Sequence, residues 1–253
     1  MLTFSLSSGS CGNAICVEAG GKRLIFDAGI TGRLAQERMA THGRSMHDVD
    51  AVIISHEHAD HIRYAGVFHR SFRIPLYVTR DTRLAATSSL GRLTDVRFFQ
   101  SGDSLTFGDV VVHTVRTAHD ADDPIAFVVE HDRKRLGVLV DLGHPFNGLQ
   151  SFLESLDAAY LESNYDPVML EAGNYPPELK DRIRGDGGHL SNDEAAELVR
   201  ACGRRRPQWI AVAHLSGKNN TPELAFAAQR RAVGDHYPVH LAPRHEASEL
   251  FTL

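Results

Sequence analysis

Cysteine is scarce, a membrane-length apolar run is missing, and the charge balance is not basic. Of 253 residues only Cys11, Cys16 and Cys202 are cysteine. An odd number without regular spacing supplies no disulfide framework. The simple expectation is three small buried apolar side chains in a reducing cytosol. No stretch approaches twenty consecutive apolar residues, so no membrane span is expected. Met1–Ser5 carry neither a charged leader region nor a long apolar one, which predicts a cytoplasmic chain without a secretory signal. The net charge of −5 argues against a dedicated DNA-binding module, which would show a strongly basic balance. Low-complexity linkers and convincing long repeats are also absent. One domain over residues 1–253 is therefore expected, a length that α/β sandwiches often use for one domain.

What is present is concentrated in His56-Glu57-His58-Ala59-Asp60-His61, directly after the apolar run Ala51-Val52-Ile53-Ile54. Three imidazoles and the Asp60 carboxylate fall within six residues. Burying so many titratable groups unpaired is costly. A divalent metal removes that cost, because imidazole and carboxylate are good ligands for zinc, manganese or iron. His56 and His58 alternate as on an extended segment, so both can face one ion. Asp60 and His61 follow as the chain turns and can face a second. The spacing is not His-Glu-x-x-His, so a zinc-protease helix is not the reading.

More candidate ligands follow in the same local context. Val110–Val115 reads as a strand with His119-Asp120 shortly after it. Leu136–Val140 ends in Asp141, Trp209–Ala213 ends in His214, and Arg23–Phe26 runs into Asp27. A strand end is a rigid place for a functional side chain because the sheet fixes it. Repetition of that ending predicts one shared site.

The order Asp27, His56–His61, His119, Asp141, His214 resembles the five motifs of the metallo-β-lactamase superfamily, over nearly the whole chain. The resemblance implies an αββα sandwich. It implies that His56, His58 and His119 hold one metal, that Asp60, His61 and His214 hold the other, and that Asp141 bridges them. Asp27 would orient the metal loop. Ser8–Asn13, Leu161–Asp166, Tyr175–Lys180, Gly188–Asn192 and His214–Ser216 before Asn219-Asn220 further resemble the YycJ/WalJ group, a bacterial branch associated with 5′-to-3′ DNA exonuclease chemistry and manganese. Two positions depart from the group: Tyr165 stands where it often has His, and His144 follows Asp141 where another residue is usual. No cysteine occupies a ligand position, unlike β-lactamases with a thiolate at the second metal. The Asp141–His214 span is too short for the large domain that RNA-processing relatives insert there, which favours a minimal catalytic domain.

Local signals agree with two mixed sheets flanked by helices. Strands are expected near 2–6, 14–19 and 22–27, and a helix from Thr31 to His42 stopped by Gly43. Helices near 59–70 and 80–88 follow, then mostly strands from 96 to 140 with turns at Gly108-Asp109 and His131-Asp132. Ser191-Asn192-Asp193-Glu194 is a capping box opening a helix to about Cys202. Thr221-Pro222-Glu223 opens another to about Gly234.

Two divalent ions, Mn²⁺ or Zn²⁺, sharing a bridging carboxylate would activate water and polarise a phosphodiester. They do not supply a proton for the leaving oxygen. His189, in a glycine-rich loop before the Ser191 cap, is the candidate donor. In related tRNA 3′-processing nucleases a similar loop His is oriented by a Glu after an apolar strand, which Glu162 matches. Asp60, His189 and Glu162 are thus the expected catalytic residues. Ser191 is explained by capping. Asn13, Asn164, Asn219 and Asn220 could bind phosphate oxygens or be ordinary turn residues. Basic residues cluster at Arg63, Arg70, Arg73, Arg80 and Arg83, at Lys180, Arg182 and Arg184, and at Arg204–Arg206. The first of these stretches could track a phosphate backbone. The leading expectation is a DNA exonuclease. Alternatives are a ribonuclease, a small-molecule phosphodiesterase or lactonase on the same site, or a non-catalytic binding protein; the complete ligand set argues against the last.

Overall fold

The computed structural model describes residues Met1–Leu253. The first part of the chain forms β1 (Leu2–Ser7), β2 (Ala14–Ala19), β3 (Lys22–Phe26), α1 (Gly32–Ala40), β4 (Ala51–Ile53), α2 (Ala59–Ile62) and α3 (Ala65–Phe72). Next come β5 (Leu76–Thr79), α4 (Arg80–Ala85), α5 (Thr87–Leu90), β6 (Val96–Phe99), β7 (Ser104–Phe107), β8 (Val110–Arg116), β9 (Ile125–His131) and β10 (Lys134–Leu139). The remainder is α6 (Leu149–Glu154), β11 (Ala158–Glu162), α7 (Pro167–Ala172), α8 (Pro177–Arg184), α9 (Asn192–Ala201), β12 (Trp209–Ala213), α10 (Pro222–Val233), β13 (Val239–Leu241) and β14 (Phe251–Thr252).

The strands make two seven-stranded mixed sheets, ordered β14-β1-β2-β3-β4-β5-β6 and β13-β12-β11-β10-β9-β8-β7. Successive side chains of a strand point to opposite faces. In β3, Leu24 and Phe26 therefore enter the core between the sheets, while Ile25 joins Met39 and Phe68 under the outer helices. In β12, Trp209, Ala211 and Ala213 face inward, while Ile210 and Val212 pack with Leu149, Leu153 and Val199. Strands covered on both faces read as unbroken apolar runs, which is how they look in the sequence. The expected αββα sandwich is thus present.

Element ends follow local chemistry. Thr31 caps α1 by accepting from Leu34 N, and α1 stops at Ala40, shortly before Gly43 at φ 70°. The capping box of Ser191 and Glu194 opens α9. The helix expected near 59–70 breaks into α2 and α3, and the one near 80–88 into α4 and α5. No helix is long and apolar enough to cross a membrane.

Strand direction decides where the side chains of interest meet. β3 to β6 are mutually parallel, and so are β10 to β13. β8 runs with β10, because each is antiparallel to β9. Asp27, His56, His119, Asp141, Glu162 and His214 all stand at or just beyond the C-terminal ends of these strands. Open α/β sheets gather ligands at that rim.

Candidate metal centre

The metal loop leaves β4, bends at Glu57, and enters α2, whose first turn carries Asp60 and His61. His56, His58 and His119 bring one nitrogen each into a mutual cluster, and Asp60, His61 and His214 form a second. These are the two triplets that the superfamily resemblance implies. Asp141 lies between them. Its Oδ2 is 2.8 Å from His61 Nε2 and 3.9 Å from His56 Nε2; its Oδ1 is 3.2 Å from His214 Nδ1 and 3.8 Å from His119 Nε2. His56 Nε2 and both Asp141 carboxylate oxygens are buried without a hydrogen-bond partner in the protein. Orphaned acceptors converging on one point are costly unless a cation takes their place as partner. The residues fit divalent metal.

The second nitrogens of several rings are already held, which fixes their tautomers. His61 Nδ1 donates to Asp27 Oδ2 at 2.7 Å, and His119 Nδ1 donates to the Gly188 carbonyl at 2.8 Å. His56 Nδ1 is 2.9 Å from Ser55 Oγ, which donates in turn to Asp27 Oδ2 at 3.0 Å. Asp27 thus touches the loop through Ser55 and His61. Asp27, Asp141 and His214 adopt φ of 66°, 52° and 55°. Left-handed backbone is unfavourable for non-glycine residues. Here it bends each chain at a strand end.

Residues 22–210 match the family model described as beta-lactamase superfamily domain. The chain belongs to the beta-lactamase superfamily. It is 34% identical over 244 residues to the Bacillus anthracis protein named Exodeoxyribonuclease YycJ, covering 93% of this chain and 92% of that one. It is 36% identical over 225 residues to Exodeoxyribonuclease WalJ of Streptococcus pneumoniae serotype 2, covering 87% and 83%. The crystal structure of the metallo-beta-lactamase fold protein YhfI from Bacillus subtilis superposes with a TM-score of 0.76 over 99% of each chain at 16% identity. That last likeness concerns the fold alone.

In this beta-lactamase superfamily chain the cleft at the rim holds about 300 Å³ and is lined by His58, Asp60, His61, His119, Asp141, His189 and His214, with Ser10 and Arg182 beside them. His189 Nδ1 donates to Glu162 Oε1 at 2.7 Å, and Glu162 Oε2 accepts from Leu142 N at 2.9 Å. Glu162 is fully buried, whereas the His189 side chain keeps 21% of its surface open to the cleft. Burial opposes charge on His189, but the Glu162 and Asp141 carboxylates outweigh it and raise its pKa to about 10. Burial likewise opposes ionisation of Glu162, and the His189 charge and hydrogen bond hold its carboxyl down to about 2. Burial opposes and the surrounding histidines hold Asp141 well below the usual carboxylate range. His56 is kept neutral by burial and by His61. The carboxylates are thus ionised and His56 neutral, whereas burial opposes charge on His61 and His214 but the surrounding carboxylates outweigh it, raising His61 well above the usual imidazole range and His214 to about 9, so these two must release a proton to ligate a cation.

Some expectations fail here. Asn13, Asn164, Asn219 and Asn220 are all at most 5% exposed; Asn219 lies in a turn, while the other three hold neighbouring loops together. Asn13 Nδ2 is 3.0 Å from His61 Nε2 and donates to Asp60 Oδ2 at 3.3 Å. Asn164 donates to the His214 carbonyl, and Asn220 donates to the Ser163 and Asn164 carbonyls. Ser8, whose role was not read from the sequence, accepts from His214 N at 2.8 Å. Cys16 and Cys202 are buried, but Cys11 is exposed on the Ser10–Asn13 loop, so only two follow the apolar expectation. The arginine stretch divides as well. Arg73 precedes β5 and stands at the rim away from the metal loop, because β5 is parallel to β4. Arg70 Nη1 is tied to the Leu90 and Arg92 carbonyls. Arg80 and Arg83 follow β5 and share the rim of the metal loop.

Proposed function

We propose that residues 1–253 form one cytoplasmic dinuclear-metal phosphodiesterase that degrades DNA from the 5′ end. The observation that carries the metal-dependent hydrolase is the pair of three-donor clusters meeting at one orphaned carboxylate, Asp141, in an open cleft. The names of the Bacillus anthracis and Streptococcus pneumoniae relatives, both exodeoxyribonucleases, support nucleic acid as substrate and DNA in particular. Unpaired cysteines support the cytoplasmic setting.

His56, His58 and His119 would hold one ion, Asp60, His61 and His214 the other, and Asp141 would contribute to both. When bound, two Mn²⁺ or Zn²⁺ ions lower the pKa of a water molecule and stabilise the charge that develops on the phosphate oxygens. Asp60, fixed by Asn13 on one oxygen, orients the attacking water. Asp27 and Ser55 keep the imidazoles turned to the cleft. His189 donates its Nε2 proton to the leaving oxygen, and Glu162 holds the opposite ring nitrogen and balances the charge.

The test is a time course on duplex and single-stranded DNA labelled at one 5′ end, on RNA and on a generic phosphodiester, with Mn²⁺, Mg²⁺ and Zn²⁺ in turn. Early release of label as mononucleotide or short product is expected. Prompt shortening from the 3′ end would reverse the polarity. Inertness towards DNA with robust cleavage of RNA or the small diester would replace the substrate. Elemental analysis should give close to two ions per chain; one ion in a fully loaded protein would sink the dinuclear reading.

A further inference from the structure

Arg182 is the one lysine or arginine among the residues lining the metal cleft. It lies in the last turn of α8, just before the glycine-rich loop that delivers His189. Its Nε donates to Asp120 Oδ2 at 2.5 Å and its Nη2 to Asp120 Oδ1 at 3.1 Å. Asp120 is itself anchored. It follows His119, and its backbone N–H donates to the Gly187 carbonyl at 2.9 Å. The guanidinium therefore cannot swing freely, unlike most surface arginines.

A guanidinium has five N–H donors. Two are on Asp120, and Nη1 has no partner in the protein. The side chain is 57% exposed and lines the cleft. An exposed ion pair contributes little to stability, so fold stability does not account for a cation held at this position. Parallel N–H donors on a planar fork match two oxygens of a phosphate.

We propose that Arg182 is the substrate-phosphate clamp of this site. Held by Asp120 through one edge, it presents Nη1 and the remaining Nη2 hydrogen to non-bridging oxygens of a phosphate adjoining the scissile bond. Asp120 cancels its net charge, so the contact acts by orientation rather than by bulk attraction. The inference rests on the phosphodiesterase reading and adds a substrate-binding residue to it.

The experiment compares metal-loaded wild type with Arg182→Met, Arg182→Lys and the double variant D120N/R182M. Three quantities are read: metal content, KM and kcat on a DNA oligonucleotide, and the calorimetric Kd of thymidine 5′-monophosphate. Arg182→Met should keep its metals and raise both KM and Kd about 10- to 100-fold, with kcat changing far less. Arg182→Lys should recover only part, because an ammonium cannot hold Asp120 and the phosphate with one rigid fork. The double variant should stay weak. Recovery to wild-type affinity would mean that an uncompensated Asp120 caused the defect, and would overturn the clamp. So would unchanged KM and Kd in Arg182→Met, or loss of metal with them. DNA cleavage with a normal Arg182→Met would sink the clamp alone. Arg182-dependent binding of the monophosphate without cleavage of any diester would sink the nuclease reading alone. A wild type that neither binds nor cleaves would sink both.

Discussion

His189 shares one cleft with the histidines proposed to hold metal, and its Nδ1 stands 2.7 Å from Oε1 of the fully buried Glu162 and 3.1 Å from Asp141 Oδ1. Glu162 is the nearer partner, and His189 belongs to neither of the two three-donor clusters. His189→Ala should therefore keep its metals while turnover falls about 100- to 10,000-fold, the range of general acid catalysis. A substrate with a better leaving group should regain part of that loss; metal lost together with activity would make His189 a ligand instead. Asp141→Ala should release more metal than any other single ligand change, because Asp141 alone adjoins both clusters. Elsewhere a polar residue is simply misplaced for stability. Gln229, midway along α10, is fully buried with neither amide atom partnered in the protein. Gln229→Met removes that desolvation penalty at similar volume, and should stabilise the fold by about 1–3 kcal/mol in urea titration. A destabilised variant would show that the amide has partners.

At the scale of elements, the site depends on three loops stitched through their backbones. Asn13 N donates to the Asp60 carbonyl, Gly29 N to the Asn13 carbonyl, and Ala28 N to the His61 carbonyl, at 2.7, 2.9 and 2.7 Å. Gly29 is the point of closest approach. A Cβ there would lie 1.7 Å from the Asp60 carbonyl oxygen and 2.6 Å from Asn13 N. Gly29→Ala must push the metal loop away from the Ser8–Asn13 loop. It should cost about 1–3 kcal/mol of stability and lower metal occupancy, both measurable on one preparation by denaturant titration and elemental analysis. Wild-type occupancy would show that the loops can separate without disturbing Asp60 and His61.

Across the whole molecule, the proposed ligand set spans the two sheets. The His56–His61 loop belongs to the first sheet, and His119, Asp141 and His214 to the second. A ligand that binds only the folded state stabilises it by mass action, about 2.7 kcal/mol at a hundredfold excess over Kd. For a chain of this size that corresponds to a Tm about 5–10 °C higher with metal than after chelation. Calorimetry of the two forms checks this; identical Tm values would mean that the sheets do not share an ion. The net charge of −5 leaves little general attraction for nucleic acid, so salt dependence should arise at the catalytic rim. Removing Arg80, which lies over the Phe98 ring at 4.6 Å, should flatten the salt slope of DNA binding by about one unit. Removing Arg73 should not, and equal effects would mean that DNA also reaches the opposite rim.

Donor chemistry and strand periodicity were legible without coordinates. A divalent site needs imidazoles and carboxylates, which are rare together, and apolar runs ending in them mark the rim where strands stop. Those signals pointed to His56–His61, His119, Asp141 and His214 as one candidate site on a layered α/β chain, and the superfamily resemblance supplied the proposed division into two ion sites. Helix caps at Ser191 and Thr221 were legible because capping depends on neighbours within one turn. Contacts between distant segments were not. Nothing in the composition of Ser8–Asn13 says that Asn13 reaches Asp60 across 47 positions, or that Arg182 forks onto Asp120 across 62. The same holds for the left-handed turns at Asp27, Asp141 and His214, since non-glycine residues adopt that backbone only occasionally. Such features exist only once both sheets have packed, because packing supplies the free energy that brings remote loops together and holds strained backbone in place.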